Sequence, residues 1–429
     1  MIDIRWSRQA GMIENLGERS ARLYRIWLER IGLKPRRETS RPELPRRPYS
    51  IAFTVCCCHD LRQLNCDYTA FEFVDLVGPM QIVGVTESAQ GRPARCALKM
   101  KERAIVRRVK VIYLELQGSD DRWKKSFIEV FGDKHDWSIY DLTQPTAPQF
   151  ADAEVVIDMG GVGMTPVLVA ASTQCTLWHI LAVGYDIFDM STMRQAGIAV
   201  ANVPGSTSAE GLANGAIMFM LQILIKYNAA QETLRSGKLY TPMGEELDGK
   251  ILGMIGFGAS GQALAKVAKV FGMQFMIVEP MTLDQATLDT YTPNFVGGAD
   301  AMDKVIGAAD FVSLHLPLND DTRGIIDARR IALMNPNASF INVARGDLVD
   351  QDALYAALLE GRIRGIGTDV HTGRYPDKDH PVYQHPDFYA LPHVSGTTVG
   401  TAYRRAEAAL ENVNRIAEGL EPKWRVDDR

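Results

Sequence analysis

The chain has 429 residues, of which 46% are hydrophobic and 23% charged, values typical of a globular protein with two or three domains. Residues 1–110 contain 21 Lys and Arg against 12 Asp and Glu, whereas the remaining residues contain 26 against 40. The acidic main body argues against nucleic-acid binding, and no uninterrupted apolar run approaches the roughly 20 residues that span a bilayer. We therefore expect neither a nucleic acid nor a membrane as a partner.

Residues 1–105 contain no motif that indicates a function, and we predict an N-terminal extension of unknown role. Five of the six cysteines lie in this segment without a repeated CxxC arrangement, so reduced thiols are favoured over a metal site built from Cys58, His59 and Cys66. The sequence therefore predicts no metal site. The first residues lack the short apolar core of a secretion signal, which favours a cytoplasmic protein.

Short apolar runs alternate with helical patterns from Val109 onward. VKVIYLEL is typical of a buried parallel strand, and similar patterns occur in WSIYDL, AEVVIDM, TLWHILAVGYD and IAVANVPG, with helical stretches DDRWKKSFIEVFG and TPVLVAAS between them. Such alternation predicts a parallel α/β domain. Ligands bind at the carboxyl ends of strands in these folds, so the loops 159–163, 183–186 and 202–205 are candidate binding loops.

A mostly apolar segment, residues 209–230, is predicted to form one long helix that leads into a second α/β unit. In that unit the strand Leu252–Ile255 runs into the sequence GFGASG, an amphipathic helix follows, and the strand Gln274–Val278 ends at Glu279. This strand–turn–helix–strand arrangement predicts a dinucleotide-binding Rossmann domain.

Each glycine of GFGASG has a physical task in such a domain. Gly256 permits the tight turn, Gly258 lets the backbone approach a pyrophosphate, and Gly261 allows close packing of helix on strand, while the phosphates meet the positive helix N-terminus. Glu279 follows Gly261 by 18 residues, where its carboxylate can accept hydrogen bonds from ribose hydroxyls. Because this acid would repel a 2′-phosphate and no basic residue follows immediately, we predict NAD as the cofactor, with NADP less favoured.

Several motifs of the chain occur together in one enzyme family. These motifs are GFGASG (256–261), SLHLP (313–317), INVARG (341–346), GTDV (367–370) and LPH (391–393), together with the turns VGYD (183–186) and NVPG (202–205). In them the chain resembles the D-isomer-specific 2-hydroxyacid dehydrogenases, such as phosphoglycerate dehydrogenase and glyoxylate or hydroxypyruvate reductase. The resemblance covers roughly residues 109–422.

The resemblance implies two Rossmann-like α/β lobes with the active site in the cleft between them. A flavodoxin-like substrate lobe would comprise residues 106–207 and 395–429, and an NAD-binding lobe with a doubly wound parallel sheet would comprise residues 208–394. The family usually forms homodimers through the cofactor lobe, so we expect a homodimer here.

The resemblance also implies roles for individual residues. Arg345 would hold the substrate carboxylate and polarise the carbonyl, His393 would act as acid or base, and Asp369 would accept from the nicotinamide carboxamide. Backbone amides at Gly160 and Gly161 would complete carboxylate binding, although a plain glycine-rich turn fits equally well. The implied cofactor contacts are Gly256, Gly258, Ala259, Ser260, Gly261, Glu279, Leu316, Pro317, Thr322, Val343, Ala344, Arg345, Asp369 and His393.

One position departs from the family pattern. The family has a Glu that pairs with the histidine and raises its pKa, and this chain has Arg374 there. An arginine would disfavour the imidazolium. His393 would then use another carboxylate such as Asp377 or Asp379, or work unaided with a lower pH optimum for reduction, or belong to a catalytically weak protein.

The sequence thus favours an NAD-dependent oxidoreductase that interconverts a small 2-hydroxy acid and its 2-oxo acid. Two alternatives stay open: a catalytically weak NAD-binding sensor or scaffold, motivated by Arg374 and the basic N-terminal segment, and a dehydrogenase of the formate or phosphite type. Which acid is the substrate, and in which direction the reaction runs, does not follow from the motifs.

Overall fold

The computed structural model describes residues 107–160, 165–373 and 377–427, which form two parallel α/β lobes. This confirms the predicted fold class. The features predicted within residues 1–105, together with Gly161 and Arg374, lie outside the described residues. The lobe boundaries taken from the family resemblance stay a prediction.

The first lobe is a five-stranded parallel sheet with strand order β2-β1-β3-β4-β5. Every residue of β3 and β4 is buried, as the continuous apolar runs predicted, because helices cover both faces of the sheet. Its elements are β1 (Lys110–Leu114), α1 (Arg122–Phe131), β2 (Asp136–Ile139), α2 (Thr146–Phe150), β3 (Val155–Asp158), α3 (Pro166–Ala171), β4 (Leu177–Ile180), α4 (Met190–Ala196) and β5 (Ala199–Ala201).

The segment predicted as one long helix is two helices, α5 (Ala209–Ile225) and α6 (Tyr227–Arg235). They meet at an angle of 53°, and Lys226 between them adopts a left-handed backbone conformation with φ 56°. The carbonyl of Leu224 accepts from the Glu245 amide at 3.2 Å, so a chain segment distant in sequence takes an acceptor that a continuous helix would use. No single helix among the described residues is long and apolar enough to cross a membrane.

The second lobe is a seven-stranded parallel sheet with strand order β12-β11-β10-β9-β6-β7-β8. The chain leaves β6 toward β7 and β8 and then returns to the other side of β6 with β9, which places a crevice at the carboxyl ends of β6 and β9. Its elements are β6 (Ile251–Ile255), α7 (Ala259–Val270), β7 (Gln274–Val278), α8 (Gln285–Tyr291), β8 (Phe295–Gly297), α9 (Met302–Ala308), β9 (Phe311–Leu314), α10 (Ala328–Ile331), β10 (Ser339–Asn342), α11 (Gln351–Leu359), β11 (Gly365–Thr368) and β12 (Phe388–Ala390).

The last helix, α12 (Val399–Ala417), returns to the first lobe. Its buried residues Ala406, Ala409 and Val413 share a core with Phe127 and Phe131 of α1. The chain therefore crosses between the lobes twice, before α5 and before α12, and both crossings lie beside the candidate site.

Candidate active site

The glycine-rich turn after β6 has the close contacts that its sequence predicts. Gly256 has φ 93°, and a Cβ there would lie 2.6 Å from the carbonyl oxygen of His315. A Cβ at Gly261 would lie 2.8 Å from the carbonyl oxygen of Gly256, so α7 packs tightly on the turn. At Gly258, the N-cap of α7, a Cβ would meet nothing within 4 Å, which leaves open space at the positive end of the helix. This opening fits a pyrophosphate.

Glu279 lies at the end of β7, against this turn. One carboxylate oxygen accepts from the Phe257 amide at 2.8 Å, and the other accepts from the Met281 amide at 3.1 Å. Each oxygen has a second lone pair, so the side chain is held in place and can still accept from a ribose hydroxyl.

His315 is a site residue whose side-chain role the sequence did not reveal, although the SLHLP motif was recognised. Its imidazole is buried, with Nε2 3.0 Å from Ser313 Oγ and Nδ1 3.1 Å from Ser260 Oγ. Burial lowers the pKa of His315 to about 4, so the ring is neutral near pH 7. His315 thereby ties β9 to the first turn of α7 and fixes the hydroxyl of Ser260.

Other predicted cofactor contacts follow β9, which pairs with β6, and β10, which pairs with β9. Thr322 donates from Oγ1 to the Pro317 carbonyl at 2.7 Å and holds the loop that begins at Leu316. Asn342, at the end of β10, accepts from the Ala344 amide at 3.0 Å and donates to the Arg345 carbonyl at 2.8 Å. The turn that carries Val343, Ala344 and Arg345 is therefore fixed by one buried amide side chain.

Arg345 reaches from the second lobe to the first. Its Nε donates to Asp186 at 3.1 Å and its Nη1 donates to the Ala344 carbonyl at 2.8 Å. A Cβ at Gly184 would overlap Arg345 Nη2, so the guanidinium lies directly on the turn 183–186. The sequence indicates Arg345 and the turn 183–186 separately, and the structure places them in contact, with Asp186 as the partner of Arg345.

His393 lies on the loop between β12 and α12 in a left-handed backbone conformation, φ 60°, which is uncommon for a residue with a Cβ. Buried Asp369 holds the loop, because its two oxygens accept from the Val394 amide at 2.7 Å and the Ser395 amide at 2.8 Å. Asp369, predicted to accept from the nicotinamide, therefore positions the His393 loop in this structure.

The pKa of His393 is lowered. Desolvation is the main cause and the positive charge of Arg345 the next, while the carboxylates of Asp369 and Asp186 oppose them. Asp379, one of the two carboxylates that the sequence offered for His393, instead pairs with Lys378. The other, Asp377, accepts from the Asp379 amide at 3.1 Å.

Helix α5 supports the His393 loop from the other side. A Cβ at Gly211 would lie 2.6 Å from the Ser395 carbonyl oxygen, and one at Gly215 would overlap the Ser395 hydroxyl. Only glycine at these two positions allows the loop to pack so closely on the helix. Helix α5 thus packs directly against the loop that carries His393.

Gly160 follows β3 with φ 84°, and its amide donates to Asp158 at 2.7 Å. Asp158 is buried and also accepts from the Trp178 indole at 3.1 Å; burial raises the pKa of this carboxyl group. Asp158 and Trp178, which belong to no recognisable sequence motif, fix the start of the glycine-rich loop. The predicted use of the Gly160 and Gly161 amides for carboxylate binding stays a prediction.

Among the described residues, no group of three or more His, Cys, Asp or Glu side chains could hold a metal ion. What the site offers instead is open space at the N-terminus of α7, an acid at the end of β7, and an arginine and a histidine where the lobes meet. This donor set fits a dinucleotide and a small carboxylic acid.

Comparisons with known proteins agree with this chemistry. The sequence model for "D-isomer specific 2-hydroxyacid dehydrogenase, NAD binding domain" matches residues 217–395. A glyoxylate reductase of Thermococcus litoralis is 34% identical over 252 residues, 56% of this chain and 73% of that protein. A D-3-phosphoglycerate dehydrogenase of Methanocaldococcus jannaschii is 32% identical over 270 residues, which is 62% of this chain but only 50% of that protein. A solved structure from Thermus thermophilus superposes with a TM-score of 0.63 and 26% identity, covering 74% of this chain and 100% of that one.

Proposed function

Because this chain belongs to the D-isomer-specific 2-hydroxyacid dehydrogenase family, we propose that it interconverts a small 2-hydroxy acid and its 2-oxo acid at Arg345 and His393, with NAD as the cofactor. Family membership makes it an oxidoreductase that uses a nicotinamide cofactor. The single observation that supports the proposed site is the contact of Arg345 with Gly184 and Asp186, which places a guanidinium between the two lobes.

Arg345 binds the substrate carboxylate in this proposal. A guanidinium presents parallel N–H donors that match the two oxygens of a carboxylate. Asp186 and the Ala344 carbonyl each take one N–H of the side chain, which fixes its plane before substrate arrives.

His393 moves the proton. In oxidation the neutral imidazole takes the proton of the substrate hydroxyl, and in reduction the imidazolium returns a proton to the oxo group. Its lowered pKa favours the neutral ring and therefore the base role. The nicotinamide, when bound, supplies the hydride acceptor or donor.

The residues that would hold the cofactor are the turn 256–261, Glu279 and the loops that begin at Leu316 and Val343. NAD is favoured over NADP because the Glu279 carboxylate would repel a 2′-phosphate, and the next residues, Pro280 and Met281, bring no positive charge. We expect Glu279→Ala to weaken NAD binding and to improve the relative use of NADP. An unchanged ratio of the two dissociation constants would contradict the role of Glu279.

The substrate is a small 2-oxo or 2-hydroxy acid. A relative of 34% identity is a glyoxylate reductase, and the proposed reaction needs only a carboxylate, a carbonyl and a short side chain. The alternatives of a formate-type or phosphite-type dehydrogenase and of a non-catalytic sensor or scaffold gain no support from these relatives.

NADH oxidation by the purified protein with glyoxylate, pyruvate, hydroxypyruvate and bulkier 2-oxo acids, from pH 5 to 9, tests the proposed function. We expect turnover of at least one acid that declines as the pH rises. Absence of turnover with every acid, with NADH binding intact, would overturn the proposal and favour a non-catalytic NAD-binding protein.

We also infer a homodimer formed through the second lobe. Large apolar side chains are exposed along the end of α5, along α6 and in the segment that follows, and exposed apolar side chains of this kind are typical of a protein interface. They are Ile225, Tyr227, Leu234, Leu239, Tyr240 and Met243. The mass in solution tests this inference: a dimer that Leu234→Asp converts to a monomer would support it, and a monomeric wild-type protein would contradict it.

A further inference from the structure

A second arginine, Arg405 of α12, lies close to the proposed substrate site. Its Nη1 donates to the Leu181 carbonyl at 2.9 Å, at the end of β4. Leu181 comes just before the loop 182–186, whose Gly184 and Asp186 contact Arg345. The carboxyl end of β4 thus brings both arginines to the same edge of the sheet.

Arg405 lacks a counter-ion among the residues that the structure describes. Its Nε is buried without a hydrogen-bond partner, and its guanidinium carbon lies 5.3 Å from the centre of the Trp123 ring. Among the described residues Arg405 forms no ion pair, whereas Asp186 pairs with Arg345. Buried charges are normally paired, because removing an ion from water is unfavourable. An unpaired cation beside the loop that contacts Arg345 therefore indicates an anionic ligand.

The charge of Arg405 acts on the groups of the proposed site. Burial, and next the charge of Arg345, lower the pKa of Arg405 to about 10, so the side chain is still a cation at neutral pH. Arg405 in turn contributes to lowering the pKa of His393. The three groups Arg345, His393 and Arg405 thus share one electrostatic environment, with Asp186 and Asp369 facing them.

We propose that Arg405 binds a second anionic group of the substrate, so that the enzyme acts preferentially on 2-oxo acids with a distal carboxylate. This inference rests on the proposed function, in which Arg345 binds the carboxylate next to the oxo group. Arg345 already has Asp186 as a partner, whereas Arg405 has only a carbonyl and an aromatic ring. A distal carboxylate beside the guanidinium would supply the missing counter-ion.

Matched substrates test the proposal. 2-Oxoglutarate and 2-oxopentanoate differ only in the distal carboxylate, as do oxaloacetate and 2-oxobutanoate. In at least one pair we expect kcat/KM to be about tenfold or more higher for the dicarboxylate, the size of one hydrogen-bonded charge contact. Arg405→Gln should abolish this preference by raising KM of the dicarboxylate far more than KM of the monocarboxylate.

Arg404→Gln is the matched control. Arg404 is the neighbouring residue on α12, donates to the Thr207 carbonyl at 2.8 Å and pairs with Glu210. This variant should retain the dicarboxylate preference. An equal rise of KM for both members of a pair in Arg405→Gln would overturn the proposal, since Arg405 would then bind the carboxylate common to both.

Binding in the presence of NAD⁺ provides a readout independent of turnover. The oxidised cofactor cannot reduce a 2-oxo acid, so calorimetry can compare the dissociation constants of 2-oxoglutarate and 2-oxopentanoate in stable ternary complexes. Tighter binding of 2-oxoglutarate, retained in Arg405→Lys, supports the proposal even if Arg405→Gln fails to fold. Equal binding by the wild-type protein overturns it, and does so without affecting the proposed function if monocarboxylates are turned over.

Discussion

Asp186 is the residue whose importance the sequence could not show. The turn VGYD was recognised as a binding loop, but its contact with Arg345 joins residues 159 positions apart on different lobes. No local pattern predicts such a contact, because it depends on how the lobes pack. The roles of Gly256 and Gly261 could be predicted, since the contacts they permit lie within one strand–turn–helix unit or between adjacent strands.

We expect Asp186→Asn to move the pH profile of reduction to lower pH. His393 must be protonated to deliver its proton, so activity declines as the pH rises through its pKa. The Asp186 carboxylate raises that pKa against the effect of Arg345, and its removal lowers the pKa further. The measurement is kcat/KM for a 2-oxo acid from pH 5 to 9.

The control is Asp189→Asn, which alters an exposed carboxylate that caps α4 in the same lobe. Asp189→Asn should leave the pH profile of kcat/KM unchanged. A profile that stays fixed in Asp186→Asn, or that moves to higher pH, would contradict the proposed coupling of Asp186 to His393.

Among the elements, α5 could be predicted from the sequence in its character but not in its end. Its apolar character and position could be predicted because apolar residues occur on every side of the helix. Its end at Ile225 could not, because the Glu245 amide that bonds to Leu224 comes from a segment distant in sequence. The small residues Gly211 and Gly215 gave no local indication that the His393 loop packs on them.

We expect Gly211→Ala to reduce kcat/KM without weakening NADH binding. The new Cβ would lie 2.6 Å from the Ser395 carbonyl, so the loop that carries His393 must shift. A displacement of about 1 Å in a reacting group lowers activity by about a hundredfold. Steady-state kinetics and NADH fluorescence titration measure the two effects.

Gly307→Ala, in α9, is the matched helix substitution. Its Cβ would meet the Leu333 carbonyl at an ordinary 3.5 Å, so activity should not change, and the helix should gain about 0.5–1 kcal/mol of stability. Equal activity of Gly211→Ala and wild type would show that the loop does not need its close packing on α5.

For the molecule as a whole, we expect the free energy of unfolding to fall in mild acid, because His315 is buried as a neutral group. The pKa of His315 is lowered to about 4 by burial, whereas in the unfolded chain it is about 6.5. The unfolded state therefore binds the proton more readily, and this contribution to stability, complete above pH 6.5, is lost as the pH falls toward 4. Its size is about 3 kcal/mol.

His315→Gln can keep hydrogen bonds to Ser313 and Ser260 without the titrating ring. Urea unfolding of both proteins between pH 7 and 4 should show a shallower decline in the free energy of unfolding for the variant. Parallel curves for the two proteins would mean that His315 is not buried as a neutral group.

The proposed activity depends on Arg345, the residue that connects the two lobes. The decisive measurement compares Arg345→Gln with wild type for two quantities, turnover of a 2-oxo acid and the dissociation constant of NADH. We expect turnover to fall by a factor of about a hundred or more, as for loss of a charge-assisted contact, while the dissociation constant of NADH changes far less. A variant that keeps its turnover, or that loses NADH binding instead, would contradict the assignment of Arg345 as the substrate-binding residue.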